Sequence, residues 1–360
     1  MKRVFALLMA LAMMLALVAC GGNSNNTTPD TNTNNEANTQ NEENTENNEN
    51  TEPQGRTYEL TMASSDASGS VIGLVGEKIV ELADQYSDGR IKITYHQDAT
   101  LGTELENIQQ LKDGEIDIAH FGDNFGSQIC TNIDPTVTPF IFKTLDDVKA
   151  VYDDPVLGAA IAKAAKDNAN CYLVGLQART ARLLTASRAI ETPADLNGLK
   201  LRVPEIENWV TVWKSLGALP TPVAWAETYS ALQTHVVDGQ ENPIDNIYAN
   251  KIYEVNKYIM MTEHLYGCHH WCVNADMWDG MDAADREILQ KAIDDADAWG
   301  DAELANLEKG YWDSVLEDGS VTVVEVDKAV WSSAAQAGIE EALSAFVPEA
   351  QEYVSNYLAG

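Results

Sequence analysis

Arginine is scarce in this chain and unevenly placed. Of eight arginines, four (Arg179, Arg182, Arg188 and Arg202) fall between positions 179 and 202. The planar fork of a guanidinium meets a carboxylate with two parallel hydrogen bonds, a geometry that lysine lacks. Arg202 sits in the alternating run Leu199-Lys200-Leu201-Arg202-Val203, just before Pro204. That places it at the end of a predicted strand, and the crevice outside strand ends is where open α/β sheets hold ligands. Arg179 and Arg188 are equally suited to neutralising nearby acids. A second cluster, Gly267-Cys268-His269-His270-Trp271-Cys272 with His264 ahead of it, offers soft metal ligands. Its spacing matches no common zinc site, and a strand turns neighbouring residues to opposite faces. Cys268 and Cys272 on one strand would stand about 13 Å apart, beyond disulfide reach. No metal is therefore expected there, while pairing of Cys130 with Cys171 stays open. The chain has no Gly-x-Ser-x-Gly elbow, no phosphate-cradling glycine loop and no His-Glu-x-x-His. Acid pairs such as Asp294-Asp295 read as the solvated face of a helix.

These side chains need a scaffold, and the periodicity supplies one from Thr57 onward. Tyr58, Leu60 and Met62 alternate as in a strand; Ile72, Val75, Ile79, Leu82 and Tyr86 recur at helical spacing; Ile91, Ile93 and Tyr95 make the next strand. A helix through Leu101, Leu105, Ile108 and Leu111 leads to a strand at Ile116–Ala119. The same alternation resumes after residue 155, with strands at Cys171–Leu176, Leu199–Val203 and Thr221–Ala224 and helices through Trp209 and Tyr229. This β–α order predicts an α/β fold with a largely parallel sheet, in two units rather than one very wide sheet. From Ala283 to about Glu317 only Gly300 and Gly310 interrupt a helical pattern, each costing about 1 kcal/mol. One helix of that length would span roughly 50 Å and brace two domains.

Charge and composition narrow the partners. The 360 residues carry 56 Asp and Glu against 23 Lys and Arg, a net charge of −33, with 45% hydrophobic residues. On charge, nucleic acid and anionic membrane surface are poor partners. Residues 1–20 read as an export signal: Lys2 and Arg3, then an apolar run from Val4 to Val18 too short for a comfortable span, then Leu17-Val18-Ala19-Cys20. That ending resembles a bacterial lipobox, with Cys20 as the lipidated first residue of the mature protein. Residues 21–56, mostly Asn, Thr and Glu, have a composition that predicts a disordered linker with a reach of about 30 Å. The folded part is then expected outside the cytoplasm, lipid-anchored at the outer face of the membrane.

Several segments together resemble one family. They are Gly198-Leu-Lys-Leu-Arg-Val-Pro204, Pro220-Thr-Pro-Val-Ala-Trp225, Tyr229–Thr234, Val237-Asp-Gly-Gln-Glu-Asn-Pro243 and Lys251–Tyr258, with Leu101-Gly102 and Leu111-Lys-Asp-Gly114 upstream. The chain resembles, over about residues 57–320, the DctP-type extracytoplasmic solute-binding subunits of TRAP transporters, here in lipoprotein form.

The resemblance implies a two-domain periplasmic-binding-protein-like fold with a ligand cleft between domains and a long bracing helix. It places domain I at 57–180 and 267–307, and domain II at 181–266 and 308–360. It implies a monomer without cofactor or catalysis, which captures a small organic acid and hands it to a membrane permease driven by an ion gradient. Arg202 corresponds to the family's carboxylate clamp, Arg182 to a second arginine, and Asn242 to a ligand-binding asparagine. Trp225 stands where an aromatic, usually Phe, lines the pocket, and Glu104 matches a ligand-side acid of some members. Ala119–Asp123 departs from the family pattern, with Gly122 or Asp123 in place of its polar residue. Gly267–Cys272 is not a family motif but falls where a pocket-lining strand is expected. Two ligand classes fit these residues. Arg182 would suit the second carboxylate of a C4-dicarboxylate; Trp225 and Trp271 on a sugar face, with Glu104, Asn242 and His269 or His270 on hydroxyls, would suit a sugar acid. The number of aromatic and hydrogen-bonding candidates favours the sugar acid. The rival readings are a sensing protein without a permease and a secreted carboxylate-handling enzyme.

Overall fold

A computed structural model describes residues 55–359. The expected signal, Cys20 and all but the last two residues of the expected linker lie outside the described residues. From the N-terminus the first half contains β1 (Tyr58–Ala63), α1 (Val71–Tyr86), β2 (Ile91–His96), α2 (Glu104–Asp113), β3 (Ile118–Phe121), α3 (Leu145–Asp153), α4 (Leu157–Ala169) and β4 (Cys171–Ala178). There follow β5 (Leu183–Ala186), β6 (Lys200–Val203), α5 (Glu207–Ser215), β7 (Leu219–Pro222), α6 (Thr228–Gln233), β8 (Gly239–Asn242), α7 (Ile244–Ala249), α8 (Ile252–Val255) and β9 (Tyr258–Met260). The chain ends with β10 (Cys268–Asn274), α9 (Ala275–Gly280), α10 (Ala283–Leu316), β11 (Thr322–Val324), α11 (Lys328–Leu343) and α12 (Pro348–Ala359).

Local signals set the boundaries. Ser70 caps α1 by accepting from the Gly73 amide, and Ile72, Val75, Ile79 and Leu82 bury one face. Thr103 and Glu106 form a capping box that starts α2, and Gly114 ends it at φ 73°. This cap matters for the site because it puts Glu104 in the first helical turn, facing the end of β3.

The strands form two sheets, a five-stranded β2-β1-β3-β10-β4 and a six-stranded β11-β9-β5-β8-β6-β7. The expectation of largely parallel pairing is corrected: both sheets are mixed. β1 pairs in parallel with β2 and β3, as the β–α order requires, but β10 is antiparallel to β3 and β4. In the second sheet β5 is antiparallel to β8 and β9. The cause is the way the chain changes sheets. β4 runs on into β5 and β9 into β10 without an intervening helix, so the two runs lie antiparallel along each other through both sheets. They stay joined in the gap between sheets, where the Arg179 amide donates to the Gly267 carbonyl at 3.1 Å and the Arg182 amide to Leu265 at 2.9 Å.

α10 is one uninterrupted helix of 34 residues. It packs on α1 and β4 of the first sheet's layer and on α7 beside the second. Gly300 marks the closest approach: a Cβ there would lie 2.6 Å from Val75 Cγ2 and 2.7 Å from Gln177 Oε1. Of the last two helices, α11 packs on α5, whereas α12 lies against α4. Among the described residues no helix is long and apolar enough to cross a membrane.

Candidate functional site

The two crossing runs bring charged residues to the seam between the sheets, where strand ends from both sides converge. The cleft is lined by Glu104 from α2, Asp123 after β3, Arg179 and Arg182 from the first crossing, and His269 from β10. Arg202 on β6, Trp225 after β7 and Asn242 at the end of β8 close the other side. Of the residues nominated from sequence, Arg202, Arg182, Asn242, Trp225, Glu104 and His269 thus share one cleft. His270 and Trp271 do not line it. His270 turns to the opposite face of β10, packing on Phe125 with ring centroids 4.2 Å apart and meeting the Tyr152 hydroxyl at 3.2 Å. Trp271 is fully buried, 5.0 Å from the His120 ring and edge-on to Tyr95. Strand alternation separates His269 from His270, and Trp271 is committed to the core.

The two nominated arginines live in different electrostatic surroundings. Arg182 is surrounded by acceptors: its Nε donates to Glu241 Oε2 at 2.6 Å and Nη2 to Glu241 Oε1 at 3.1 Å. Nη2 also reaches Asn242 Oδ1 at 2.9 Å, and Nη1 reaches Asp123 Oδ2 at 3.1 Å. Its guanidinium lies 4.7 Å over the Trp209 ring. Burial opposes its charge, but Glu241 and Asp123 outweigh burial and raise its pKa. Burial likewise pushes Glu241 up, yet Arg182 and His264, whose Nε2 is 3.0 Å away, hold it below the usual range.

Arg202 is only 3% exposed, and no carboxylate among the described residues pairs with it. Its Nε donates to the Val223 carbonyl at 2.9 Å, and its guanidinium lies 5.5 Å from the Trp225 ring centroid. Burial draws its pKa down to about 10. A buried cation without a counterion is costly, and an incoming carboxylate would relieve that cost.

Glu104 accepts from the Gly122 amide at 2.6 Å and from Asn124 Nδ2 at 2.7 Å. Burial nevertheless pushes its carboxyl up to about 7 from 4.5. Because the folded pKa is raised, the penalty is present above about 7 and is relieved as pH falls towards 4.5. Glu104→Gln is therefore expected to raise the melting temperature of the ligand-free protein at about pH 8, the gain shrinking on acidification. Turning the Asn124 amide gives the new Gln an acceptor. A melting difference that does not change with pH would contradict this.

Of two residues that sequence reasoning missed, Asp66 lines the cleft and His120 stands behind it. Asp66, three residues past the end of β1, and His120 within β3 are both buried. Their position at strand ends was the available signal. Arg179 serves as the neutraliser it was suited to be, with Nη2 at 2.9 Å from both Asp245 oxygens. Of the His264–Cys272 cluster only His269 joins a group with metal-ligand geometry, and its companions are Asp66 and His120. The four described cysteines, Cys130, Cys171, Cys268 and Cys272, are free thiols.

Comparison with known proteins identifies the family and the fold. Residues 62–345 match the family model described as bacterial extracellular solute-binding protein, family 7 (DctP). A solute-binding protein from Roseobacter denitrificans is 31% identical over 270 residues, covering 73% of this chain and 80% of that protein. A crystal structure of a TRAP periplasmic solute-binding protein from the same species, with bound L-galactonate, superposes with a TM-score of 0.76 at 27% identity, covering 84% of this chain and 99% of that one. Another from Sulfitobacter sp. NAS-14.1, with bound β-D-galacturonate, gives 0.77 at 27% identity over 84% of this chain and all of that one (100%). The chain belongs to this family: it is a DctP-type solute-binding protein of the TRAP transporters.

Proposed function

We propose that the protein captures a sugar acid outside the cell and delivers it, unchanged, to the permease of a TRAP transporter. The observation that carries this reading is the buried, unpaired guanidinium of Arg202, aimed at the cleft and backed by Trp225. One carboxylate belongs there. Arg182 argues against a second: Nε and Nη2 are taken by Glu241 and Asn242, and Nη1 meets Asp123. One remaining N–H can reach a hydroxyl but cannot grip a carboxylate with two bonds. Glu104, Asn242 and His269 offer further polar groups, and the two structures named above hold an aldonate and a uronate.

Capture is by closure of domain I (57–180 and 267–307) onto domain II (181–266 and 308–360), hinged at the paired crossings and in α10. The functional unit is a monomer tethered through a lipidated Cys20. A thermal-shift screen of galacturonate, glucuronate, galactonate, succinate and malate tests the ligand class, since a tight ligand raises the melting point by mass action. A shift with succinate or malate and none with any sugar acid would overturn it. Cys20→Ala is expected to release the protein from membranes with ligand affinity unchanged; a variant still membrane-bound would place the anchor elsewhere.

A further inference from the structure

Three side chains behind the cleft form a continuous chain of contacts. His120 Nδ1 lies 3.1 Å from Asp66 Oδ2, and His120 Nε2 lies 3.1 Å from His269 Nδ1. All three residues are buried, and His269 reaches the cleft. The protonation pattern along this chain follows from what each atom can do. Burial pushes Asp66 up, but the His120 contact and the Arg179 cation bring it down to about 2, so it is an ionised acceptor. Burial lowers both histidines, and Arg179 lowers His269 further, so each ring carries one proton. The Nδ1 of His120 is not aligned for a hydrogen bond with Asp66, but a bare lone pair 3.1 Å from that carboxylate would be repelled, so His120 holds its proton on Nδ1 and leaves Nε2 a bare lone pair. Two ring nitrogens 3.1 Å apart share one proton, so His269 must supply it from Nδ1. Its Nε2 is left as an acceptor.

We propose that Asp66 and His120 are positioning residues that lock His269 in its Nδ1–H form, presenting Nε2 as a hydrogen-bond acceptor for a hydroxyl of the bound acid. Two features keep that lone pair available and in place. Arg179 Nη1 is 3.5 Å from Nδ1 and 3.4 Å from Nε2 of His269. A donor so nearly equidistant lies off both lone-pair axes. Gly122 lets the backbone come against the ring, since a Cβ there would sit 2.7 Å from His269 Cε1 and 3.0 Å from Nε2. The same three residues have the makings of a metal site, but Arg179 Nη1 stands 3.6 Å from Asp66 Oδ1 and holds a fixed positive charge among them. The consequence is chemical selectivity: a hydroxyl donates to Nε2, whereas a fluorine or keto oxygen at that position cannot.

The inference rests on the sugar-acid reading for its ligand, and its test has an arm that needs none. Nitrogen-15 NMR of histidine-labelled, ligand-free protein, assigned by His120→Phe and His269→Asn, should show both rings protonated on Nδ1. Protonation of His269 on Nε2 would overturn the relay, as would a Zn²⁺-induced rise in melting temperature that Asp66→Ala abolishes. The second arm measures affinity for D-galacturonate and its deoxyfluoro analogues. One fluorine position should weaken binding about tenfold in the parent and leave it little changed in His269→Phe. Equal losses in both proteins at every position would overturn the hydroxyl contact. If no sugar acid binds, the ligand class falls, and the ligand-free spectrum still decides whether the relay exists.

Discussion

Arg202→Ala is expected to weaken ligand binding at least a hundredfold while leaving the melting temperature of the ligand-free protein unchanged or higher. Hydrogen bonds to a charged group contribute about 1.5–3 kcal/mol each, and a two-pronged clamp makes two of them. A hundredfold loss corresponds to about 2.7 kcal/mol, so the estimate is a lower one. Stability should not fall because Arg202 has no acid to leave behind, only the Val223 carbonyl. Arg202→Lys should not restore binding, since an ammonium cannot reproduce the planar fork. Titration calorimetry separates affinity from thermal stability; near-parent affinity in Arg202→Lys would remove the clamp from its role.

Arg182→Ala should behave in the opposite way, with its main effect on the fold. Removing this guanidinium leaves the fully buried Glu241 with only His264 as a polar side-chain partner, and Asp123 on the cleft wall without its ion pair. Breaking a buried pair by deleting one partner costs about 3–5 kcal/mol because the remaining charge is uncompensated. Asn242 Oδ1 also loses the shorter of its two donors, keeping Asn246 Nδ2 at 3.3 Å, and the Trp209 ring loses the cation stacked on it. Denaturant unfolding of the ligand-free protein reads the effect directly. A midpoint equal to the parent's would show that Arg182 is not the structural hub its contacts describe. The two alanine variants thus distinguish an arginine that waits for a ligand from one that the protein itself has already engaged.

The amino-acid order alone was enough for the first strands and helices, for the long helix and for several residues that line the cleft, but not for short elements such as β8, β9 and β11. Strand and helix periods are set by which side chains must leave water, so Tyr58–Ala63, Val71–Tyr86 and Ile91–His96 emerge with nearly their final bounds. The long helix was visible too, because a lone glycine costs little against more than thirty favourable residues. Arg202 was visible because a cation at a strand end before proline has few structural reasons to be there. Periodicity says nothing, however, about strand direction. Only the tertiary structure shows that β5 and β10 enter their sheets antiparallel, because direction depends on how the chain crosses between sheets. Nor does residue type say which arginine is already paired, since Glu241 and Asp123 reach Arg182 only after folding. Trp271 and His269 share a strand and a face, yet one is core and the other cleft, a difference set by what lies above each. The Asp66–His120–His269 chain gathers residues from three strands or strand ends, and their contacts exist only once the first sheet has formed. Local order determined which groups were available; the meeting of distant strands decided which of them line the cleft and which are already paired.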